Sequence, residues 1–427
     1  MTRERIPDMA LDQLMTAWLD DRAHGPEADP VLEAALARTT RTRPLPTWLL
    51  PERWLPMRSN RPLQRIPSLV PILLLLGLLL AASVAFFVVG SQRRLPPPFG
   101  LAAPGVVAFV ADGHIWTANP DGSEPRQLTF DQRTDSFTVF SRDGTKIAFK
   151  RLPAPDSKLY WEEWGDVIVA DADGRNAIVV DAMVHSPSPI SWSPDGRFIV
   201  YSRTIGTVDQ VFMAATDGSS TRQITSGPQF NWGPTLSPDG RTIAFVKGFP
   251  SIVGVYVVQS DGTGEQRLTS ARIDGFDLAE WSPDATTLLY SAGNVELSRQ
   301  DLWAVGLDDK PERRIVGSPG NDSGQAWSPD GVWIAYLNAL AGGKSRVMVA
   351  GADGSNAHPI SDPDDWSYPQ WSPDARHVLA VDGRLGGGQP IVAILDPLGK
   401  SPASSFALPG GAMNGPPDFT GWQRRAP

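Results

Sequence analysis

Hydrophobic positions follow two regimes along the 427-residue chain. From Leu69 to Gly90 they form one charge-free run, and beyond Val106 they come in short runs separated by Pro, Asp, Gly and Ser. As a helix rising about 1.5 Å per residue, the first run reaches roughly 33 Å, the thickness of a bilayer core. It predicts a transmembrane helix over 68–91. Pro71 falls in the first turn, where a proline costs little. The 68 preceding residues argue against a cleaved signal peptide.

The short runs recur with a period. A hydrophobic-Ser-Pro-Asp-Gly pattern appears as Phe140-Ser-Arg-Asp143-Gly, Trp192-Ser-Pro-Asp195-Gly, Leu236-Ser-Pro-Asp239-Gly, Trp281-Ser-Pro-Asp284-Ala, Trp327-Ser-Pro-Asp330-Gly and Trp371-Ser-Pro-Asp374-Ala. The aspartates are spaced by 52, 44, 45, 46 and 44 residues. A second marker, an Asp-Gly turn or its variant at Asp121, Asp173, Asp217, Asp261, Asp308, Asp353 and Asp396, keeps the same step. Between the markers lie runs of strand character: Ile243-Ala-Phe245 after one turn, Val255-Tyr-Val257 before the next, then Arg267-Leu-Thr269. Asp-Gly suits a tight hairpin, and Pro-Asp-Gly presets one dihedral and frees another. Each unit therefore reads as four strands.

A radial array of such units of about 45 residues predicts an all-β fold, a β-propeller. The first unit begins at Val106 without its Trp-bearing strand, and Trp422 lies near the end without later strands. Joined, the two pieces complete one blade beside six full ones. Seven blades follow, and six stay open should one unit be degenerate. The expected organisation is a segment 1–67, a span 68–91, a linker 92–104 and a propeller 105–423.

Charge sets the expected topology. Arg53, Arg58, Arg61 and Arg65 precede the span and only Arg93 and Arg94 follow it, which favours a cytoplasmic N-terminus and an extracytoplasmic, periplasmic propeller. The formal net charge is −9, of which residues 95–427 carry −12. An acidic balance disfavours nucleic acid as a partner. The absence of cysteine excludes disulfides, thiol nucleophiles and zinc-thiolate sites.

The series Trp-Ser-Pro-Asp-Gly, Ile-Ala-Tyr, Val-Tyr-Val and Asp-Gly resembles the TolB-like, WD40-like propeller repeat of bacterial envelope proteins, over residues 105–423. The resemblance implies a seven-bladed fold. For function it implies a binding platform, a peptidase lid or a sensor domain, the variety expected of a shared fold.

Candidate chemistry is sparse. No Gly-x-Ser-x-Gly elbow is present, so a peptidase-type hydrolase is not expected. The five histidines lack metal-ligand spacing, and Glu162-Glu163 and Asp364-Asp365 read as solvated loop acids. Asp171-Ala-Asp173-Gly174 lacks the acid at position twelve that a calcium loop needs. The expectation is a non-enzyme without metal or cofactor. Ligands of propellers usually sit where the loop from an outer strand delivers the chain to the next inner strand. Those ends carry Asp135, His185, Phe230, Asn231, Trp232, Asp274, Phe276, Asn321, Asp322, Trp366 and Tyr368. Mixed aromatic and acidic side chains suit an envelope protein, a peptide or a glycan. The insertion Leu152–Gly165, with Tyr160-Trp-Glu-Glu-Trp164, is a second candidate.

The first segment has its own pattern. Leu11, Leu14, Met15, Trp18 and Leu19 share one helical stripe, and Thr40–Met57 is broken by prolines around Trp48 and Trp54. Residues 1–57 read either as an interfacial anchor or as a docking segment for a cytoplasmic regulatory protein, the plan of anti-sigma factors.

Overall fold

The computed structural model describes residues 100–152, 164–185, 189–248, 253–269, 279–294, 299–308, 311–364, 366–382, 391–399, 404–407 and 421–425. The segments 1–67 and 68–91, with the expected membrane span, lie outside them. Among the described residues no helix is long and apolar enough to cross a membrane.

The periodic runs fold into seven four-stranded antiparallel sheets, the blades of a propeller. The inner strands, in blade order, are Gly421–Arg425, Asp135–Phe140, Ser191–Trp192, Phe230–Leu236, Glu280–Trp281, Asn321–Trp327 and Trp366–Trp371. Blade one is the composite: Gly421–Arg425 pairs with Ala103–Ala111, with Trp422 opposite Val107 and Arg425 opposite Ala103. This pairing gives blade one its fourth strand, so all seven blades have four.

Each blade interface holds one apolar cluster, and each cluster is met by the large apolar residue of an inner strand, its last residue in six blades and Trp422, the second of Gly421–Arg425, in blade one. Trp192 packs between Ala148, Val167 and Val169 of blade two and Ile199, Tyr201 and Phe212 of its own blade. Trp281, Trp327, Trp371 and Trp422 do the same at their interfaces. Phe140 and Leu236 fill the two remaining ones. Three indoles also tie blades by hydrogen bonds: Nε1 of Trp192, Trp281 and Trp371 donates to the backbone oxygen of Val139, Thr235 and Ala326 in the preceding blade, at 3.1 to 3.2 Å. A buried indole N–H thereby meets the acceptor it needs.

The repeated turn is a local hydrogen-bond unit. In six blades the serine hydroxyl donates to the aspartate two residues on, at 2.5 to 2.7 Å. The same serine accepts from the backbone N–H five residues on, as Ser193 does from Phe198 at 2.9 Å. The residue after the aspartate sits at positive φ, which is easy for Gly196 at 66° and strained for Ala285 at 62° and Ala375 at 57°.

The sequence pattern did not reveal a bulge in the inner strands. Register shifts fall between Ser136 and Val139, Trp232 and Thr235, Ser323 and Ala326, and Ser367 and Gln370. Phe137, Gly233 and Gly324 occupy the shift with φ of 52°, 60° and 61°. A bulge increases twist and re-aims flanking side chains, here just inside the channel.

Candidate functional site

Every inner strand starts at one mouth of the central channel and ends at the other, so the two mouths are built from different residues. The loop mouth receives the chain from the preceding blade. The turn mouth is ringed by the Ser-Pro-Asp-Gly turns.

At the loop mouth, several sequence-expected residues are consumed by the fold. Asp135 opens the inner strand of blade two, is fully buried, and takes Arg151 in a two-pronged pair at 2.7 and 3.1 Å. Around it Asp131 bonds Arg133 at 2.9 Å, which holds the Asp131 carboxyl well down, to about 2, and Arg133 also reaches Asp166 at 3.5 Å. Asn231, equally buried, donates to Gln210 Oε1 and to the backbone oxygen of Gln229, both at 2.9 Å. Asp322 accepts from the Ser318 N–H at 2.8 Å and from Asn338 at 2.9 Å. Burial and the nearby Asp301 charge raise the Asp322 pKa, and Asp301 is held by Arg299 and Arg314. Arg151 and Asn338 lie on the second strands of their blades and Gln210 and Arg299 on the third, which is why spacing alone did not pair them.

Phe230, Trp232 and Trp366 are each partly exposed at this mouth, and Asn321 is exposed, its side-chain oxygen accepting from the Gln300 N–H at 3.0 Å. Trp366 is fixed by its indole, which donates to the Asp362 oxygen at 2.7 Å. Asp274 and Phe276 lie outside the described residues, as does the side chain of Tyr368. His185 closes the outer strand Ile178–His185 of blade two and does not begin an inner one. Of the insertion, 153–163 are outside the described residues, while Trp164 starts a strand with about half its surface exposed.

The turn mouth holds what the sequence reading passed over. A cavity of about 190 Å³ is lined by Arg142, Arg424 and Glu280 together with Thr235, Trp281 and Trp327. Since its walls come from blades one, two, four, five and six, it lies on the channel axis. Burial pushes the Glu280 carboxyl up to about 8, against the pull of the Trp327 N–H, which donates to Glu280 Oε2 at 3.3 Å, and of the Arg142 charge. Burial and the like charge of Arg142 bring Arg424 down to about 10. Arg424 is tied to the ring by Nη2, which donates to the Gly100 oxygen at 2.9 Å. The signal was present as Arg142 and Arg424 in the place of a motif proline. Among the described residues no group of three or more His, Asp or Glu is placed to hold a metal ion.

Seven four-stranded blades define a seven-bladed β-propeller, a fold shared with TolB proteins. No protein-family model matches the chain. A stretch of 103 residues, 24% of this chain, is 31% identical to an uncharacterised protein of Agrobacterium fabrum, and spans about a third (34%) of that relative. The structure is similar to TolB from Acinetobacter baumannii, with a TM-score of 0.50 and 17% identity over 74% of this chain and 81% of that one. An oligogalacturonate lyase solved with manganese is similar at a TM-score of 0.56 and 12% identity, over 71% and 89% of the two chains. A TolB protein and a lyase thus share this scaffold, and likeness at such identity speaks for fold alone.

Proposed function

We propose that the protein is a non-catalytic binding module whose loop mouth captures an envelope protein, a peptide or a glycan. The carrying observation is the division of labour at that mouth. Buried pairs such as Asp135–Arg151 and Asn231–Gln210 lock the strand starts, leaving Phe230, Trp232 and Trp366 partly exposed on a rigid rim. Aromatic side chains offer large contact area at low entropy cost, which suits recognition without chemistry. In this reading residues 69–90 anchor the module in the cytoplasmic membrane, with the propeller on the outer side as the arginine asymmetry favours.

The test is crosslinking capture from a cell-envelope extract. The triple substitution Trp232→Ala, Trp366→Ala and Tyr368→Ala should remove the captured species while leaving the melting temperature near that of the parent. Capture undiminished by the substitutions rules the rim out as the binding surface. A second reading, a transmembrane regulator, is favoured by the apolar stripe Leu11, Leu14, Met15, Trp18 and Leu19 on the inner segment. Deleting residues 1–57 would abolish signalling in that case and leave outer capture intact.

A further inference from the structure

The ring of turns has one irregularity. At the residue before the turn aspartate, five blades carry Pro194, Pro238, Pro283, Pro329 and Pro373, whereas the adjacent blades one and two carry Arg424 and Arg142 at the matching position. Equivalent positions in a closed ring point to the same axis. Two guanidinium groups therefore share one end of the channel, against the single carboxyl of Glu280 across it.

We propose that the turn mouth binds a small oxyanion, a phosphate or a carboxylate, between Arg142 and Arg424. Two observations and one chemical argument carry this. The cavity of about 190 Å³ has room for about six waters at roughly 30 Å³ each, enough for such a group with part of its hydration. Its titratable lining residues, Arg142, Arg424 and Glu280, leave a positive balance in either state of the carboxyl. The planar guanidinium matches oxyanions in a two-pronged geometry, and its affinity rises where water is partly excluded.

Glu280 tunes the site. With its carboxyl raised to about 8 it is mostly neutral near pH 7, and it then adds no repulsion to an anion. A bound dianion raises it further, so binding above pH 8 draws in a proton.

The experiment is calorimetric titration of the full chain with phosphate and, separately, succinate, at constant ionic strength, using chloride as the control. Saturable binding of one or both is expected, with about tenfold or greater weakening by Arg142→Gln, the loss of one charge-assisted hydrogen bond. Binding of phosphate alone assigns a phosphate ligand, and of succinate alone a carboxylate. At pH 8.5 the heat should vary with the ionisation enthalpy of the buffer, and Glu280→Gln should remove that variation. Arg424→Gln should act like Arg142→Gln; since Arg424 lies on the closing strand, Arg142→Gln alone decides if that variant fails to fold. No saturable heat below about 10 mM, or equal affinity in the Arg142→Gln protein, overturns the proposal.

Discussion

The two ends of one channel handle charge in opposite ways. At the loop mouth, Asp135 is buried and paired with Arg151 of the neighbouring strand at 2.7 Å, and Asp301 and Asp322 are likewise held by groups of blades five and six. At the turn mouth, Arg142, Arg424 and Glu280 come from three different blades and meet only across a cavity. Pairing within a blade spends charge on the fold and leaves aromatic residues to make contact. Charge brought together across the axis lines a cavity. The lesson is that charge at a propeller mouth informs on function only once its partners are known.

Closure supports both mouths, so breaking it has the largest expected effect. Removing residues 417–427 deletes the strand Gly421–Arg425, and with it Trp422 from the interface of blades seven and one. The truncated chain should lose cooperative thermal unfolding altogether, read by circular dichroism; an unchanged melting temperature would refute the closure. Next comes the loop mouth. Arg151→Ala strands the Asp135 carboxylate in the interior, which should cost about 3 kcal/mol in urea unfolding. A loss below about 0.5 kcal/mol would mean that the pair behaves as an exposed one, and the contrast between the mouths would fail.

The turn mouth predicts a pH dependence of known sign. The folded pKa of Glu280, about 8, lies above its ordinary 4.5, so across that interval the folded state keeps a proton that the unfolded state releases. Stability from this group is complete below about pH 4.5 and is lost as pH rises to 8. The full shift would amount to about 5 kcal/mol; Glu280 keeps contact with channel water, and we expect on the order of 2 kcal/mol. Glu280→Gln should erase that decline and exceed the parent in stability at pH 8.5. A parent and variant with parallel pH profiles would show that the carboxyl is solvated. The smallest effect concerns the turns themselves: Ala285→Gly, at φ 62°, should stabilise by about 0.5 kcal/mol, strain relief outweighing the added freedom of the unfolded chain. A destabilised variant would indicate that the alanine methyl packs usefully.

Much of the fold was legible because two turn markers keep the same step through the chain, and the incomplete first and last units call for each other. Val107 opposite Trp422 is that expectation realised. The site was less legible. Asp135 and Asp322 read as candidates because sequence shows a carboxylate without its partner, and Arg151 or Asn338 stands 16 residues away on the next strand. The bulge at Phe137, Gly233 and Gly324 leaves no period to detect. Arg142 and Arg424 were visible as departures from a repeat whose regular positions are architectural. In a repeat protein the regular positions build the ring, and the departures are the places to look for binding.

The separateness of the two mouths is tested most directly by phosphate titration of three full-length proteins side by side: the parent, Arg142→Gln, and the Trp232→Ala, Trp366→Ala, Tyr368→Ala variant. The affinity should fall about tenfold or more in the first variant and stay at the parental value in the second. An equal loss in both, or a loss confined to the aromatic variant, would contradict the account.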